Sequence, residues 1–325
     1  MREELFKNCT LCPRKCNVNR LEGKRGYCGM DSTIRAARAA LHMWEEPCIS
    51  GKKGSGAVFF SGCGLRCCFC QNRDIAIGDS GKEISVERLA EIFLELQEKG
   101  AANLNLVTGA HYVPHIISAL ELARGKEMNL PVVYNSSGYE SVETIRRLDG
   151  YVDVYLPDMK YMEPELAAAF SNARDYPQAA QSAIAEMMRQ TGPCQFAEDG
   201  YIKRGTIVRH LILPGHTKNS IAVLKNLYRT YGEDIFISVM NQYTPVWKNE
   251  KFPELNKVLD RLAEKYGVTQ NAIAVAWIMR HPAGIQTIVG STNLKRIQDI
   301  SKASDIVLSR EEWYEIYLAA GKMLP

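Results

Sequence analysis

The sequence predicts an α/β fold in which six strand–helix units build a parallel sheet between a cysteine-rich amino-terminal segment and a carboxyl-terminal part of different character. Three observations carry this. From about residue 57, short β-branched runs alternate with amphipathic helical stretches, the pattern of parallel strands joined by crossover helices. Each run ends in polar or glycine-containing sequence, as βα loops do. The chain has 325 residues, 46% of them hydrophobic, which is enough to bury the core of one α/β barrel or of two ordinary domains.

The first strand is Ala57-Val58-Phe59-Phe60, followed by a loop dense in cysteine and then a helix from about Ser85 whose Leu89, Ile92, Phe93 and Leu96 share one face before Gly100. The second strand is Asn103 to Thr108. A helix over 115–128 leads to a strand over 131–135, and a helix over 141–148 leads to a strand over 152–156. A long alanine-rich helical stretch is expected over 164–190. A strand over 206–213, a helix over 217–231 and a strand over 235–240 complete the set. Parallel α/β folds place their chemistry at the carboxyl ends of such strands. There is no internal repeat and no low-complexity linker.

The formal net charge of +3, from 40 basic and 37 acidic residues, is too balanced to indicate a nucleic-acid or bilayer partner. The opening Met1-Arg2-Glu3-Glu4-Leu5-Phe6-Lys7 lacks the apolar stretch of a signal peptide, and no later apolar run is long enough to span a bilayer, so a soluble, cytoplasmic protein is expected. Eight of the ten cysteines fall in two clusters before Asn72. Clustering in a chain of this size without an export signal points to metal ligands rather than to a disulfide framework.

Cys63, Cys67 and Cys70 give the spacing C-x3-C-x2-C directly after the first strand. Three thiolates on one short loop suit three corners of an iron–sulfur cubane and leave one iron open to a chelating substrate, while Gly62 and Gly64 let the backbone wrap closely. A zinc site or a set of buried thiols is the alternative. Cys68 points away from its neighbours and is read as a non-ligand. With the aromatic Phe69 before the third cysteine and Gln71-Asn72 after it, the loop resembles the signature of the radical S-adenosylmethionine (SAM) superfamily, and the chain is similar to pyruvate formate-lyase activating enzyme-like proteins. The resemblance implies an incomplete (β/α)6 radical SAM barrel over residues 50–252. It also implies a [4Fe–4S] cluster whose open iron takes the amino and carboxylate groups of SAM, and reductive cleavage of SAM to methionine and a 5′-deoxyadenosyl radical. That radical abstracts hydrogen from a protein or small-molecule substrate, with glycyl-radical enzyme activation as one role. A flavodoxin or ferredoxin would supply the electron.

Cys9, Cys12, Cys16 and Cys28, within residues 1–49, form a second four-thiolate set that suits zinc or another iron–sulfur centre, with free thiols as the alternative; Arg14, Lys15, Arg20, Lys24 and Arg25 surround it. The set and the Trp44-Glu45-Glu46-Pro47 stretch resemble the amino-terminal segment of a subgroup of activating-enzyme-like proteins. Cys48 and Cys194 stand alone and read as buried apolar residues.

At the strand ends, Thr108-Gly109-Ala110-His111-Tyr112 stands where better-known family members carry a Gly-Gly-Glu that binds the SAM amino group, so backbone carbonyls near Thr108 would take that place. Asn135-Ser136-Ser137-Gly138 either faces the SAM ribose, through Asn135 and Ser137, or caps the next helix. Asp158-Met159-Lys160 resembles the family's Asp-x-Lys, whose lysine approaches SAM, with a surface ion pair as the alternative. Arg209 lies in a strongly apolar strand, and a buried guanidinium calls for an anion such as the methionyl carboxylate. His210 faces the other way by strand alternation. Asn241-Gln242-Tyr243-Thr244 ends the sixth strand, as a substrate contact or a polar turn.

From about residue 253 the chain resembles the tail of an aldo-keto reductase, with helices over 254–266 and 271–280, a strand over 285–289, Gly290-Ser291-Thr292 opening a helix with Arg296, and a last helix begun by the capping box Ser309-x-x-Glu312. In the reductases this element cradles NADPH phosphates. An NADPH-binding reductase-like protein is therefore the rival reading, and a non-catalytic metal-binding protein the third. No upstream segment matches the reductases' catalytic Asp, Tyr, Lys and His, so the tail is read as a packing element.

Overall fold

A computed structural model describes residues 4–241, 253–281, 287, 289, 291 and 293–321. They form two compact units. The first takes the chain up to Cys67, then Asn72–His210 and Ala222–Ser238; the second takes Cys68–Gln71, Leu211–Ile221 and the residues from Val239 onward.

Among the described residues one sheet has nine strands: β1 (Ile34–His42), β2 (Ser55–Phe60), β3 (Lys82–Ile84), β4 (Leu104–Val107), β5 (Val132–Ser136), β6 (Val154–Pro157), β7 (Gln195–Phe196), β8 (Ile202–Leu211) and β9 (Phe236–Met240). Their order is β3-β1-β2-β4-β5-β6-β8-β7, with β9 also paired to β8. The run β2-β4-β5-β6-β8 is parallel throughout, as the alternation of strands and helices requires. The six expected strands are β2, β4, β5, β6, β8 and β9. β1, β3 and the two-residue β7 are additions. β1 is antiparallel to β2, from Ala36 opposite Phe60 to His42 opposite Ser55, and β3 is antiparallel to β1. The β1 sequence Ile-Arg-Ala-Ala-Arg-Ala-Ala-Leu-His has few β-branched residues, so pairing with β2 overrides its local preference.

Side chains alternate across the sheet. Val132, Tyr134 and Tyr155 join the core under the helices Val86–Glu98 and Val113–Arg124, together with Phe93, Leu104, Leu106 and Ile116. Val133, Val154 and Leu156 face the other way and pack with Ile202, Ile207 and Ile49. Ile49 comes from the short helix Pro47–Ser50, whose carbonyl at Ile49 accepts from Asn103 Nδ2 at 2.8 Å. The segment after β1 thus fills the sheet's inner face, and Cys48 and Cys194 pack against this same cluster as apolar groups.

Helix starts follow their caps. Ser85 Oγ accepts from Arg88 N, and Ser141 Oγ from Thr144 N. The alanine-rich stretch is two helices, Pro164–Ser171 and Tyr176–Thr191. Asn172 breaks it by taking a left-handed conformation at φ 52°, which asparagine tolerates, and Pro177 in the next first turn restarts it.

In the second unit, helices Pro253–Tyr266, Gln270–Met279, Leu294–Ser301 and Arg310–Ala319 enclose Leu259, Leu262, Ile273, Ala276, Ile300, Leu308 and Ile316. The capping box of Ser309 and Glu312 is present. Trp277 and Trp313 stack at 4.9 Å, and each indole Nε1 donates to the other's carbonyl oxygen at 3.0 Å. The strand over 285–289, apart from 287 and 289, lies outside the described residues, as do Gly290, Thr292 and Gln242-Tyr243-Thr244.

Candidate functional site

At the carboxyl ends of β5, β6 and β8 the chain assembles a buried network of charges. Arg209, on β8, donates through Nε to Asp158 Oδ1 at 3.0 Å and through Nη2 to Asn135 Oδ1 at 2.6 Å, and its Nη1 lies 3.5 Å from Glu45 Oε2. Lys160 Nζ donates to the other oxygen of Asp158. Asn135 Nδ2 donates to Glu45 Oε1 at 3.3 Å, closing the ring. The four charged side chains are 7–17% exposed, so ordinary surface ion-pair screening does not apply. Asp158 loses hydration on burial, but the Lys160 ammonium and the Arg209 guanidinium outweigh that and hold its carboxyl below the usual range. At Glu45 the balance falls the other way, and burial raises the carboxyl despite Arg209. The ion pair held as the alternative for Asp158 and Lys160 is present, but in the interior rather than at the surface. The anions that answer Arg209 are Asp158 and Glu45 of the chain itself, where the sequence pointed to a ligand carboxylate.

The cysteine loop lies beside this network. The Cys67 thiol is close enough to act on the charge of Lys160, and it accepts from Ser171 Oγ at 2.9 Å. Leu65 N–H is directed at Cys63 Sγ at 3.4 Å. Arg66 has φ 55° and Gly62 φ 90°, so the loop is coiled tightly, and a Cβ on Gly62 would stand 2.4 Å from Met30 Cγ. Cys70 follows three residues after Cys67. Three soft thiols on such a loop, with N–H and O–H donors turned to sulfur, fit an iron–sulfur cluster by the chemistry of the donor set. Among the described residues no three His, Cys, Asp or Glu side chains close on one point at metal-bonding distance.

Cys63, Cys67 and Cys70 lie inside residues 57–227, the part of the chain that matches the model of the radical SAM superfamily. The chain belongs to that superfamily. An uncharacterized protein of Methanocaldococcus jannaschii is 30% identical over 281 residues, 82% of this chain and 77% of that protein. A pyruvate formate-lyase-activating enzyme of Clostridium pasteurianum is 26% identical over 113 residues, 33% of this chain and 46% of the enzyme. A structure of Streptococcus suis SuiB bound to S-adenosylmethionine aligns with a TM-score of 0.39 at 10% identity, covering 63% of this chain and 45% of that one. The chain thus spans less than half the length of these last two. The aldo/keto reductase family model matches residues 213–319, and a 6-dehydroglucose reductase of Agrobacterium fabrum is 42% identical over 65 residues, 20% of this chain and 22% of the reductase. The radical SAM assignment and the reductase-like tail both agree with the motifs read above.

Within this radical SAM chain the remaining expected residues fall as follows. Thr108 sits between β4 and a 3-10 turn at φ 61°, a strained value for a β-branched residue, and its N–H donates to Asn135 O at 2.9 Å. Ser137 Oγ accepts from Tyr139 N in a local turn, and the cap of the next helix is Ser141 instead. His210 is fully buried with Nδ1 2.7 Å from Met159 O, on the face away from Arg209. Asn241 is exposed.

Five more residues lie here to which the sequence assigned no role, Glu45 and Glu46 having been marked only within the Trp44-Glu45-Glu46-Pro47 stretch. Glu45 comes from the segment after β1, 164 positions before Arg209, and only the pairing of distant elements reveals it. Asn105, fully buried on β4, lies against the Glu45 carboxyl, yet neither of its amide atoms has a hydrogen bond of good geometry, and Glu46 Oε2 is likewise buried without a partner. A lone asparagine inside Leu104-Asn105-Leu106-Val107 was its available signal. Tyr176 donates to, or shares its proton between, Ser137 O and Asp158 O, both at 2.8 Å, and accepts from Lys160 N at 3.0 Å. Glu140 is fully buried, and that burial pushes its carboxyl up to about 8.

Proposed function

We propose that the chain cleaves SAM reductively at a [4Fe–4S] cluster held by Cys63, Cys67 and Cys70 and abstracts a hydrogen atom from a glycyl position of a partner enzyme. The observation that carries this reading is the Lys160–Asp158–Arg209–Glu45 network at the strand ends, with Lys160 next to Cys67. When bound, the cluster supplies one low-potential electron, received from a flavodoxin or ferredoxin, that splits SAM into methionine and a 5′-deoxyadenosyl radical. Lys160 brings positive charge to the loop and is suited to the methionyl carboxylate. The strained carbonyl turn at Thr108 offers acceptors for the amino group. Asn105 and Glu46 present unanswered polar atoms to whatever occupies the inner face, and a bound molecule that satisfies them recovers the cost of burying them. Hydrogen transfer from the glycyl Cα–H then gives 5′-deoxyadenosine and a carbon radical on the partner. The similarity to the C. pasteurianum activating enzyme supports the glycyl target.

Protein purified without oxygen, reconstituted with iron and sulfide and given dithionite and SAM forms 5′-deoxyadenosine. A folded, cluster-loaded sample that forms none overturns the reading. A glycyl-radical doublet in electron paramagnetic resonance, after mixing with a glycyl-radical enzyme, tests the partner. For the tail, titration with NADPH followed by fluorescence is expected to show no saturation.

A further inference from the structure

Cys9, Cys12, Cys16 and Cys28 have no part in the site above. We propose that these four thiols hold one thiophilic metal centre, a zinc ion or an iron–sulfur cluster, that pins the amino-terminal segment onto the loop bearing Cys63.

Backbone pairing gathers the four. Cys9 N donates to Val18 O at 3.2 Å and Asn17 N to Cys9 O at 3.0 Å, so residues 9 and 17–18 run side by side. Between them Lys15 N donates to Cys12 O at 3.0 Å, and Lys15 and Asn17 take φ values of 41° and 55°, which turns the chain back on itself twice within nine residues. The second half of the set closes onto the first: Tyr27 N–H is directed at Cys16 Sγ at 3.3 Å, and Gly29 N donates to Gly26 O at 3.0 Å. A Cβ on Gly26 would stand 3.0 Å from Cys16 Sγ, so the backbone there packs closely against the sulfur. Cys28 is near enough to Cys9, Cys12 and Cys16 for their charges to act on it. The thiols do not meet at one point at bonding distance, so the backbone, and not the side-chain rotamers, defines the set.

Charge supplies the second, independent argument. Arg20 is 0% exposed. Its guanidinium donates to the carbonyl oxygens of Asp31 at 2.5 Å, His111 at 2.6 Å and Met30 at 3.2 Å, and to Cys9 Sγ at 3.9 Å, and it lies over the rings of Phe6 and Tyr112. None of these is a carboxylate. A fully buried guanidinium answered only by neutral oxygens is costly, and of its hydrogen-bond partners only the Cys9 sulfur can turn anionic. Four metal-bound thiolates carry a net negative charge, which this arginine balances. Segments with so little regular structure also need a staple, and the apolar cluster here is only Phe6, Cys9 and Leu11 with Leu5 and Val18 against it.

The centre touches the radical site through the residues between its ligands. Arg14 Nε donates to Gly64 O at 2.8 Å and stacks over Tyr27, whose hydroxyl reaches Leu65 O at 3.5 Å. A Cβ on Gly64 would stand 3.8 Å from Cys12 Sγ. Leu11 O accepts from Thr144 Oγ1 at 2.8 Å, which ties the turn between Cys9 and Cys12 to the barrel.

The test uses the full chain with Cys63, Cys67 and Cys70 all changed to Ala, so that its outcome is independent of the radical chemistry. Expressed with zinc and iron and purified without oxygen, this variant is expected to retain about one zinc or about four irons with matching sulfide and absorbance near 400 nm per chain; elemental analysis and the spectrum tell the two apart. Adding Cys9→Ala and Cys28→Ala removes that metal. Should the triad variant fail to fold by circular dichroism, the same two substitutions in the otherwise native chain lower the metal count by one centre while leaving the triad's iron. A folded triad variant without bound metal, or metal that survives loss of Cys9 and Cys28, overturns the proposal.

Discussion

Glu140→Gln tests the electrostatics of the interior beneath β5. The carboxyl is fully buried, with Tyr134 Oη donating to it at 3.5 Å, and burial lifts it from 4.5 to about 8. The native state therefore binds a proton that the unfolded chain releases above pH 4.5, and the sign follows: stability falls as pH rises from 4.5 toward 8. At pH 7 the penalty is 2.5 pH units at about 1.4 kcal/mol each, or roughly 3 kcal/mol. Glutamine keeps an acceptor for Tyr134 and carries no charge, so the variant recovers most of this at pH 7 and little at pH 4.5. With about 2–4 °C of melting temperature per kcal/mol in domains of 150–250 residues, the gain is on the order of 6–12 °C at neutral pH. Anaerobic thermal melts of both proteins between pH 4.5 and 8 measure it. Melting curves that keep a constant offset across that range would refute the assignment of a protonated Glu140.

Three further outcomes are expected. Gly138→Ala places a Cβ 2.1 Å from Asp158 O at a φ of 77°, so the strand ends must part, and a loss of several kcal/mol is expected in a denaturant titration. Arg209→Met leaves Glu45 buried without its cation and Asp158 with Lys160 alone, and costs about 3–5 kcal/mol, whereas Arg209→Met combined with Glu45→Gln recovers part of it in a double-mutant cycle. Ser309→Ala removes the hydroxyl that accepts from Glu312 N and costs the last helix about 1 kcal/mol, measured as a lower melting temperature of the second unit.

Where local chemistry decides an element, the sequence was a sufficient guide. The helix Thr217–Tyr231 has the bounds its periodicity suggests, and Ser85, Ser141 and Ser309 cap the helices they precede. Where pairing decides, it was not. β1 is alanine- and arginine-rich and becomes a strand because β2 offers it an edge. Arg209 was legible as a buried cation in need of an anion, but its partner Glu45 stood out only within the Trp44-Glu45-Glu46-Pro47 stretch, which gave no sign of what it would pair with. Asn172 ends a helix in the middle of an alanine-rich run because its conformation and its bond to Arg66 O are tertiary facts.

The Tyr176 hydroxyl has one proton and three neighbours, at Ser137 O, Asp158 O and Lys160 N. It acts as a rivet between two loops that would otherwise drift independently. Any motion of the β5 loop is transmitted to the backbone of Asp158 and Lys160, so the spacing of the two strand ends is held to the tolerance of a single oxygen atom rather than to the looser fit of two separate turns.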